Sequence, residues 1–304
     1  MTNFTWLGIR LIPLFLMGHI CGAVAQTMLG NADKIIAKSI TERWELDSAS
    51  QRGTFRLTSY KPFYVTAGRW SNNPNNFPAS ENPDYAVTEP FEFNNYEARF
   101  QLSFKTKILQ DIFWGQGDLW VGYLQVAHWQ IYNTNLSRPF RELNYEPELI
   151  MNFGVNYNLF GFQGRTLGFS FNHQSNGREL PLSRSWNRVI FHAGFERDHW
   201  GLVLRPWIRI PDEEDENPLI TDFIGRAEAT VIYSRNKVQM YAVITNSLRF
   251  GGGNNRGGAQ FNVVFPIRAN LRAQFQVFDG YGETLIDYNH RQTTIGLGVS
   301  FVDW

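Results

Sequence analysis

Cysteine is nearly absent from this sequence of 304 residues, which contains only one, Cys21. That residue lies in an N-terminal segment in which Arg10 precedes an apolar stretch at residues 11–17, and Ala23 and Ala25 form a small-x-small cleavage site. This pattern is typical of a secretory signal, and the apolar stretch is shorter than the roughly 20 residues of a transmembrane anchor. We expect residues 1–25 to be removed, which leaves no disulfide and no cysteine nucleophile.

Long apolar runs and an excess of charge of either sign are also missing. Beyond residue 25 no run of about 18 apolar residues occurs, which excludes a transmembrane helix. The formal net charge is +0, and a nucleic-acid partner is not expected without a basic surface. Aromatic residues make up 15% of the chain, charged residues 18%, and the mean hydropathy is −0.31. These values suit a transmembrane β-barrel, in which only alternate strand residues contact lipid.

Hydrophobicity alternates with period two from about residue 61, which predicts strands with one apolar and one polar face. In one strand the alternating rows are Tyr96, Ala98, Phe100, Leu102 and Phe104 against Glu97, Arg99, Gln101, Ser103 and Lys105. A soluble sandwich would show the same alternation, because its apolar rows face the core. The secretory signal, the recurrence of segments of about ten residues and the aromatic residues at their ends favour a membrane barrel.

The sequence thus predicts an all-β fold, a transmembrane antiparallel β-barrel of about 12 strands, over residues 61–304. An even number of strands would place both chain ends on the periplasmic side of a bacterial outer membrane. Residues 26–60 are polar and irregular, and we expect them to form a periplasmic N-terminal extension or plug. Inward charges such as Arg205 and Glu228 would form a polar network that fills a barrel of this size.

Three polar side chains interrupt the apolar rows of two neighbouring predicted strands. His173 and Ser175 continue the row of Phe169 and Phe171, and Asn187 lies in the apolar row of the next strand. Polar residues that face lipid are costly and need a reason. A serine, a histidine and an amide suggest nucleophilic catalysis, in which the serine attacks an acyl carbonyl, the histidine transfers the proton and the amide orients the imidazole. The alternative is that they lie at the membrane interface, where polarity is tolerated.

The residues around this group resemble a known family, outer membrane phospholipase A. Its signature is similar to the string His173-x-Ser175-Asn-Gly-Arg178, followed by Ser183-Arg-Ser-Trp-Asn187-Arg. Segments 139–147 and 280–289 match further blocks of that family, so the resemblance runs from about residue 95 to the C-terminus. A match of this length is far more specific than a short motif, and it favours the catalytic interpretation.

The resemblance implies a calcium-dependent phospholipase A1/A2 and lysophospholipase that cleaves acyl esters with the Ser-His-Asn triad. Members of the family are active as dimers in the outer membrane, and the active site would lie on the cell-surface side. The implied calcium ligands are the Arg178 backbone carbonyl, Ser183, and Ser137 of the partner subunit; Gln125 would lie in the dimer interface. One departure is Leu180, which stands where family members often carry an aspartate.

Two alternatives come from other functional classes: a catalytically inactive channel or structural barrel, and a soluble secreted β-protein that binds lipid. The triad distinguishes an enzyme from the first alternative, and heat-modifiable migration of the unboiled protein on a gel would distinguish a membrane barrel from the second. The acidic run at residues 211–218 is interpreted as a solvated loop rather than a metal site.

Because the outer leaflet normally holds lipopolysaccharide, an active site at the cell surface would meet phospholipid only after damage, and dimerisation would add a second control.

Overall fold

Twelve antiparallel strands form one closed sheet in the structure, a computed structural model that describes residues 38–250, 254–268, 270–302 and 304. Each strand from β2 (Phe63–Ser71) to β13 (Gln292–Val302) pairs with its sequence neighbours, and β13 returns to pair with β2. A two-residue strand, β1 (Leu57–Thr58), pairs with Lys105 and Thr106 of β3 (Tyr96–Leu109), beyond the part of β3 that pairs with β2. The predicted barrel of about twelve strands is therefore confirmed, whereas the predicted signal at residues 1–25 lies outside the described residues.

The elements have the following bounds. The strands are β1 Leu57–Thr58, β2 Phe63–Ser71, β3 Tyr96–Leu109, β4 Asp118–Trp129, β5 Glu142–Leu159, β6 Phe162–Ser175, β7 Ser185–Arg197, β8 Trp200–Ile210, β9 Ala227–Arg235, β10 Val238–Asn246, β11 Gly257–Arg268, β12 Leu271–Gly280 and β13 Gln292–Val302. The helices are α1 Ile40–Trp44 and α2 Ile220–Phe223, with a 3-10 turn at Pro83–Tyr85. In the part of the chain that the structure describes, no helix is long and apolar enough to cross a membrane.

The two faces of the strands have the burial expected of a membrane barrel. In β3 the polar row from Glu97 to Lys107 is buried, while the alternating apolar row is partly or fully exposed. Apolar side chains on other strands are also exposed, such as Leu297 at 62%. A soluble sandwich would bury its apolar rows, so this alternative is excluded. The apolar rows instead form the outer, lipid-facing surface of the barrel.

The lumen is filled by hydrogen-bonded charged and polar side chains. Near the end that carries the candidate site, Glu97 accepts from the Arg141 Nε atom at 2.8 Å and lies 2.8 Å from His128 Nδ1. Deeper in the lumen, Glu148 accepts from Arg205 at 2.8 Å. Buried charges need such partners because an unpaired ion in a low-dielectric interior is costly. Closing the sheet therefore produces the expected internal polar network.

The short helix α1 lies inside the barrel near the opposite end. Ser39 and Glu42 form a reciprocal capping box that starts the helix. The Trp44 ring stacks on His192 with centroids 5.8 Å apart and meets Trp120 edge-to-face at 5.7 Å. The backbone N–H of Ile40 donates to Glu196 on the barrel wall. Residues 39–44 thus occupy the lumen, and a cavity of about 660 Å³ lies beside them.

Candidate active site

The strands that carry the predicted triad, β6 and β7, pair so that His173 stands opposite Asn187 and Ser175 opposite Ser185. Because alternate residues of a strand share a face, His173 and Ser175 belong to the same outward row of β6. The His173 Nδ1 and Asn187 Oδ1 atoms lie 2.8 Å apart, within hydrogen-bonding distance. The register of one strand pair therefore brings the three side chains to one end of a single hairpin.

Apolar side chains surround this group on the outer surface. Phe171 and Ile208 are 54% and 64% exposed, and Ile210, which pairs with Asn187, is 40% exposed. The rings of Phe169 and Phe171 meet edge-to-face with centroids 6.3 Å apart. This surface can contact acyl chains while the polar groups at the strand ends reach the ester region of a lipid.

The inward residues of the same two strands form a bonded layer beneath the site. Arg188 donates to Asn172 Oδ1 at 2.6 Å, and the Trp186 indole N–H donates to Gln174 Oε1 at 2.7 Å. The Arg188 guanidinium also lies over the Trp186 ring, 4.1 Å from its centroid. Sequence reasoning counted Trp186 among the aromatic residues at the membrane interface, but the structure buries it on the inward face at 1% exposed. Asn172, Gln174 and Arg188 were given only an inward position, from their parity. They join β6 to β7 directly behind His173 and so limit the movement of the strands that hold the triad.

The loop between β6 and β7, residues 176–184, carries two of the implied calcium ligands. Asn176 Oδ1 accepts hydrogen bonds from the backbone N–H of Arg178 at 3.2 Å and of Arg184 at 3.0 Å, which draws the two ends of the loop together. Arg178 also donates to the Phe140 carbonyl at 2.7 Å. The structure therefore places Arg178 and Ser183 in one compact loop. Ser137 lies on the separate loop between β4 and β5, where its carbonyl accepts from Trp129 Nε1 at 2.6 Å.

Glu216 is a residue of this site that sequence reasoning missed. The Ser183 hydroxyl donates to its Oε1 atom at 2.6 Å, and Ser80 donates to its backbone carbonyl at 2.7 Å. Residues 211–214 are exposed, as expected of a solvated loop, whereas Glu216 is partly buried and contacts Ser183. The sequence carries no signal for the contact, which joins residues 33 positions apart. Among the described residues, this site included, no group of three or more His, Cys, Asp or Glu is arranged to hold a metal ion.

Arg184 fastens the same loop to its neighbours and is completely buried. Its guanidinium donates to the carbonyls of Tyr85 at 2.7 Å and Ser183 at 2.7 Å. Burial lowers the pKa of Arg184 from its ordinary value, and the negative charges of Glu142 and Glu216 oppose this shift. The bond to Tyr85 thus ties the loop to the 3-10 turn at Pro83–Tyr85.

Gln125, the residue expected at a dimer interface, lies in the outward row of β4. The row also contains Val121, which is 39% exposed, and Tyr123. The Tyr123 hydroxyl donates to Gln125 Oε1 at 3.1 Å. An amide in the middle of an apolar outer surface has further hydrogen-bonding capacity, which lipid chains do not satisfy.

Comparison with known proteins places this barrel among phospholipases. The family model described as Phospholipase A1 matches residues 40–301. A putative phospholipase A1 of Neisseria meningitidis is 38% identical over 267 residues, which cover 86% of this chain and 69% of that protein. The phospholipase A1 of Escherichia coli is 36% identical over 207 residues, which cover 68% of this chain and 70% of that protein.

Solved structures agree with the sequence comparison. The Salmonella typhi outer membrane phospholipase, a dimer with bound calcium, superposes with a TM-score of 0.74 at 31% identity and covers 83% of this chain and 94% of that one. Outer membrane phospholipase A from Escherichia coli gives a TM-score of 0.72 at 31% identity, with 82% and 99% covered. The chain therefore belongs to the phospholipase A1 family and is an outer membrane β-barrel phospholipase.

Proposed function

We propose that this phospholipase cleaves the acyl esters of phospholipids and lysophospholipids with Ser175 as nucleophile, His173 as general base and acid, and Asn187 as the orienting group. The observation that carries the proposal is the 2.8 Å contact between His173 Nδ1 and Asn187 Oδ1 on the lipid-facing surface. When the Nδ1 proton is donated to the amide oxygen, Nε2 is free to act as a base. An amide orients the ring, but it does not stabilise the imidazolium by charge as a carboxylate would.

The proposed reaction has two parts. First, His173 Nε2 takes the Ser175 hydroxyl proton as Oγ bonds to the acyl carbon, and the carbonyl oxygen becomes an oxyanion. The ester C–O bond then breaks, and the imidazolium gives its proton to the leaving alcohol. Water attacks the acyl-serine by the same proton transfers and releases the fatty acid.

Calcium is proposed to bind the Arg178 carbonyl and the Ser183 hydroxyl, together with Ser137 of the partner subunit. These are oxygen donors, which calcium prefers. Within the described chain, the Oε2 atom of Glu216, beside Ser183, is buried without a hydrogen-bond partner, and a cation would satisfy it. Glu216 also places a carboxylate beside the loop at residues 176–184. In that loop Leu180, which stands where family members often carry an aspartate, is apolar and 61% exposed. When bound, calcium would supply positive charge that stabilises the oxyanion.

Activation by dimerisation is part of the proposal. The Salmonella typhi relative is described as a dimer with bound calcium. In this chain, two features point to a second copy: the outward amide of Gln125, and the position of Ser137 on a loop separate from Arg178 and Ser183. A partner would satisfy the amide and complete the calcium site. The monomer would then lack part of its metal site.

The active site is proposed to face the cell surface, and the extension at residues 26–60 the periplasm. The triad and α1 lie toward opposite ends of the barrel, because α1 contacts Glu196 near the far end of β7 whereas Asn187 is near its start. In this orientation the site meets the leaflet that normally holds lipopolysaccharide. Phospholipid would reach Ser175 only when that leaflet is disturbed, which would protect the membrane from its own enzyme.

Comparing wild-type monomer with crosslinked dimer tests the function directly. With calcium, the dimer is expected to release fatty acid from mixed phospholipid–detergent micelles, and the monomer to be at least about tenfold slower because its metal site is incomplete. Equal rates would contradict activation by dimerisation. A folded dimer that releases no fatty acid but conducts ions across a planar bilayer would instead support the alternative of an inactive channel.

Replacing Asn187 with alanine should lower kcat on the order of 10²-fold, the low end of what a positioned general base contributes. KM should change little, because Asn187 contacts the imidazole and not the lipid in this mechanism. The measurement is micellar hydrolysis at saturating calcium. The matched control is Asn187→Asp, which keeps an oxygen acceptor 2.8 Å from Nδ1 and should retain more activity than alanine. Full activity in Asn187→Ala would show that the contact is not catalytic.

A further inference from the structure

Asn176 directly follows Ser175 and is 97% hidden from solvent, since its exposed fraction is 3%. Its Oδ1 atom accepts from the backbone N–H of Arg178 and Arg184, and its Nδ2 atom donates to the Leu182 carbonyl at 2.7 Å. Its own backbone N–H donates to the Arg184 carbonyl at 3.1 Å. One side chain therefore replaces the backbone pairing that a tight turn would provide across residues 176–184.

Only a primary amide suits this position. The loop presents two N–H donors to one side of the group and carbonyl and carboxylate acceptors to the other, so the side chain must both accept and donate. Gly177 then turns the chain with φ +60, a conformation that favours glycine. An aspartate would match the shape but would bring a second acceptor toward the Leu182 carbonyl.

The second anchor of this amide is Glu142, at the start of β5, which is completely buried. Asn176 Nδ2 lies 3.2 Å from Glu142 Oε1 and 3.4 Å from Oε2. Glu142 is itself held by Asn144, which donates to Oε1 at 2.7 Å and accepts from the Leu285 N–H at 3.1 Å. The carboxylate fixes which way the amide points, and the network ties the loop to two other parts of the barrel.

We propose that Asn176, held by Glu142, is the positioning residue that sets the distance between the Arg178 carbonyl and the Ser183 hydroxyl and so determines calcium affinity. It touches neither the substrate nor the metal in this role. The inference rests on the calcium ligands given under Proposed function. Groups that orient ligands without binding the metal typically change metal affinity about 10- to 100-fold when they are replaced.

The test uses the full mature chain as a crosslinked dimer in detergent, with radioactive calcium as the probe in equilibrium dialysis. Asn176→Asp is expected to weaken calcium binding about 10- to 100-fold, and the calcium concentration for half-maximal hydrolysis should rise by the same factor. At saturating calcium, kcat should stay within about threefold of wild type, because the ligands themselves remain. Heat-modifiable gel migration verifies that each variant is a folded barrel.

Two further variants make the result specific. Asn176→Asp combined with Glu142→Gln exchanges donor and acceptor across this contact and should recover part of the calcium affinity. Asn152→Asp alters a buried asparagine outside this loop, 1% exposed, whose Oδ1 lies 2.8 Å from His192 Nε2. This variant should leave calcium affinity unchanged. Unchanged binding in Asn176→Asp, or an equal loss in Asn152→Asp, would overturn the inference. A wild-type dimer that binds no calcium would instead refute the proposed calcium site.

Discussion

Replacing Ser175 with alanine is expected to lower phospholipid hydrolysis on the order of 10⁴-fold or more, because loss of a nucleophile removes the covalent route altogether. The serine lies at the edge of the barrel, near Tyr145 and Ser185, its partners across the strands. The substitution removes one hydroxyl from a partly exposed residue, so the barrel should fold normally. The assay is fatty-acid release from mixed micelles at saturating calcium.

The double variant Ser175→Ala/His173→Ala provides the control for this result. If the two residues act as one unit, the double variant should be about as slow as the slower single variant, because removing either group already abolishes the step. If the double variant instead lost activity by the product of the two single-variant factors, the two residues would act independently. Residual hydrolysis close to the wild-type rate in Ser175→Ala would exclude this serine as the nucleophile and leave the family assignment without its proposed mechanism.

Removing calcium with a chelator is expected to lower the hydrolysis rate of the wild-type dimer about 10²- to 10³-fold, the cost of losing one electrostatic stabiliser of an oxyanion. Restoring calcium should restore activity. Magnesium should restore little, because it is smaller and demands near-ideal octahedral coordination with several waters. The measurement is the rate of fatty-acid release as each ion is added back to chelated protein.

Ser183→Ala tests whether the calcium effect arises in the loop at residues 176–184. This variant loses one proposed oxygen ligand and the 2.6 Å hydrogen bond to Glu216, so half-maximal activity should require about tenfold more calcium or more. Wild-type calcium dependence in Ser183→Ala would place the ion elsewhere. The comparison separates a bound catalytic ion from a general effect of calcium on the micelles, which would be the same in both proteins.

Much of the fold followed from local patterns. The polar row from Glu97 to Lys105 could be predicted because strand residues alternate between two faces, whatever the sheet packs against. The direction of those faces could not be decided from alternation, because a sandwich and a barrel have the same period. Burial of Glu97 together with exposure of Leu297 decided it. The roles of His173, Ser175 and Asn187 stay predictions until the variants are measured.

The contacts that sequence reasoning missed share one property: the two residues of each contact lie far apart along the chain. Glu216 meets Ser183, and Asn176 meets Glu142, across 33 and 34 positions respectively. Trp44 similarly finds His192 inside the lumen. No short-range period encodes such contacts. They depend on the register of long strands, as where the end of β6 meets the start of β5, and on the path of the loops and of α1 inside the closed sheet.

The sequence by itself determined the two-faced strands and the candidate catalytic group, because alternation has a period of two residues and the triad is confined to one hairpin, residues 173–187. Only the tertiary structure decided which side chains hold the loop at residues 176–184, which carboxylate stands beside Ser183, and that residues 39–44 enter the lumen. The physical reason is that the first set depends on local geometry, whereas the second depends on barrel closure and strand stagger, which the whole chain sets together.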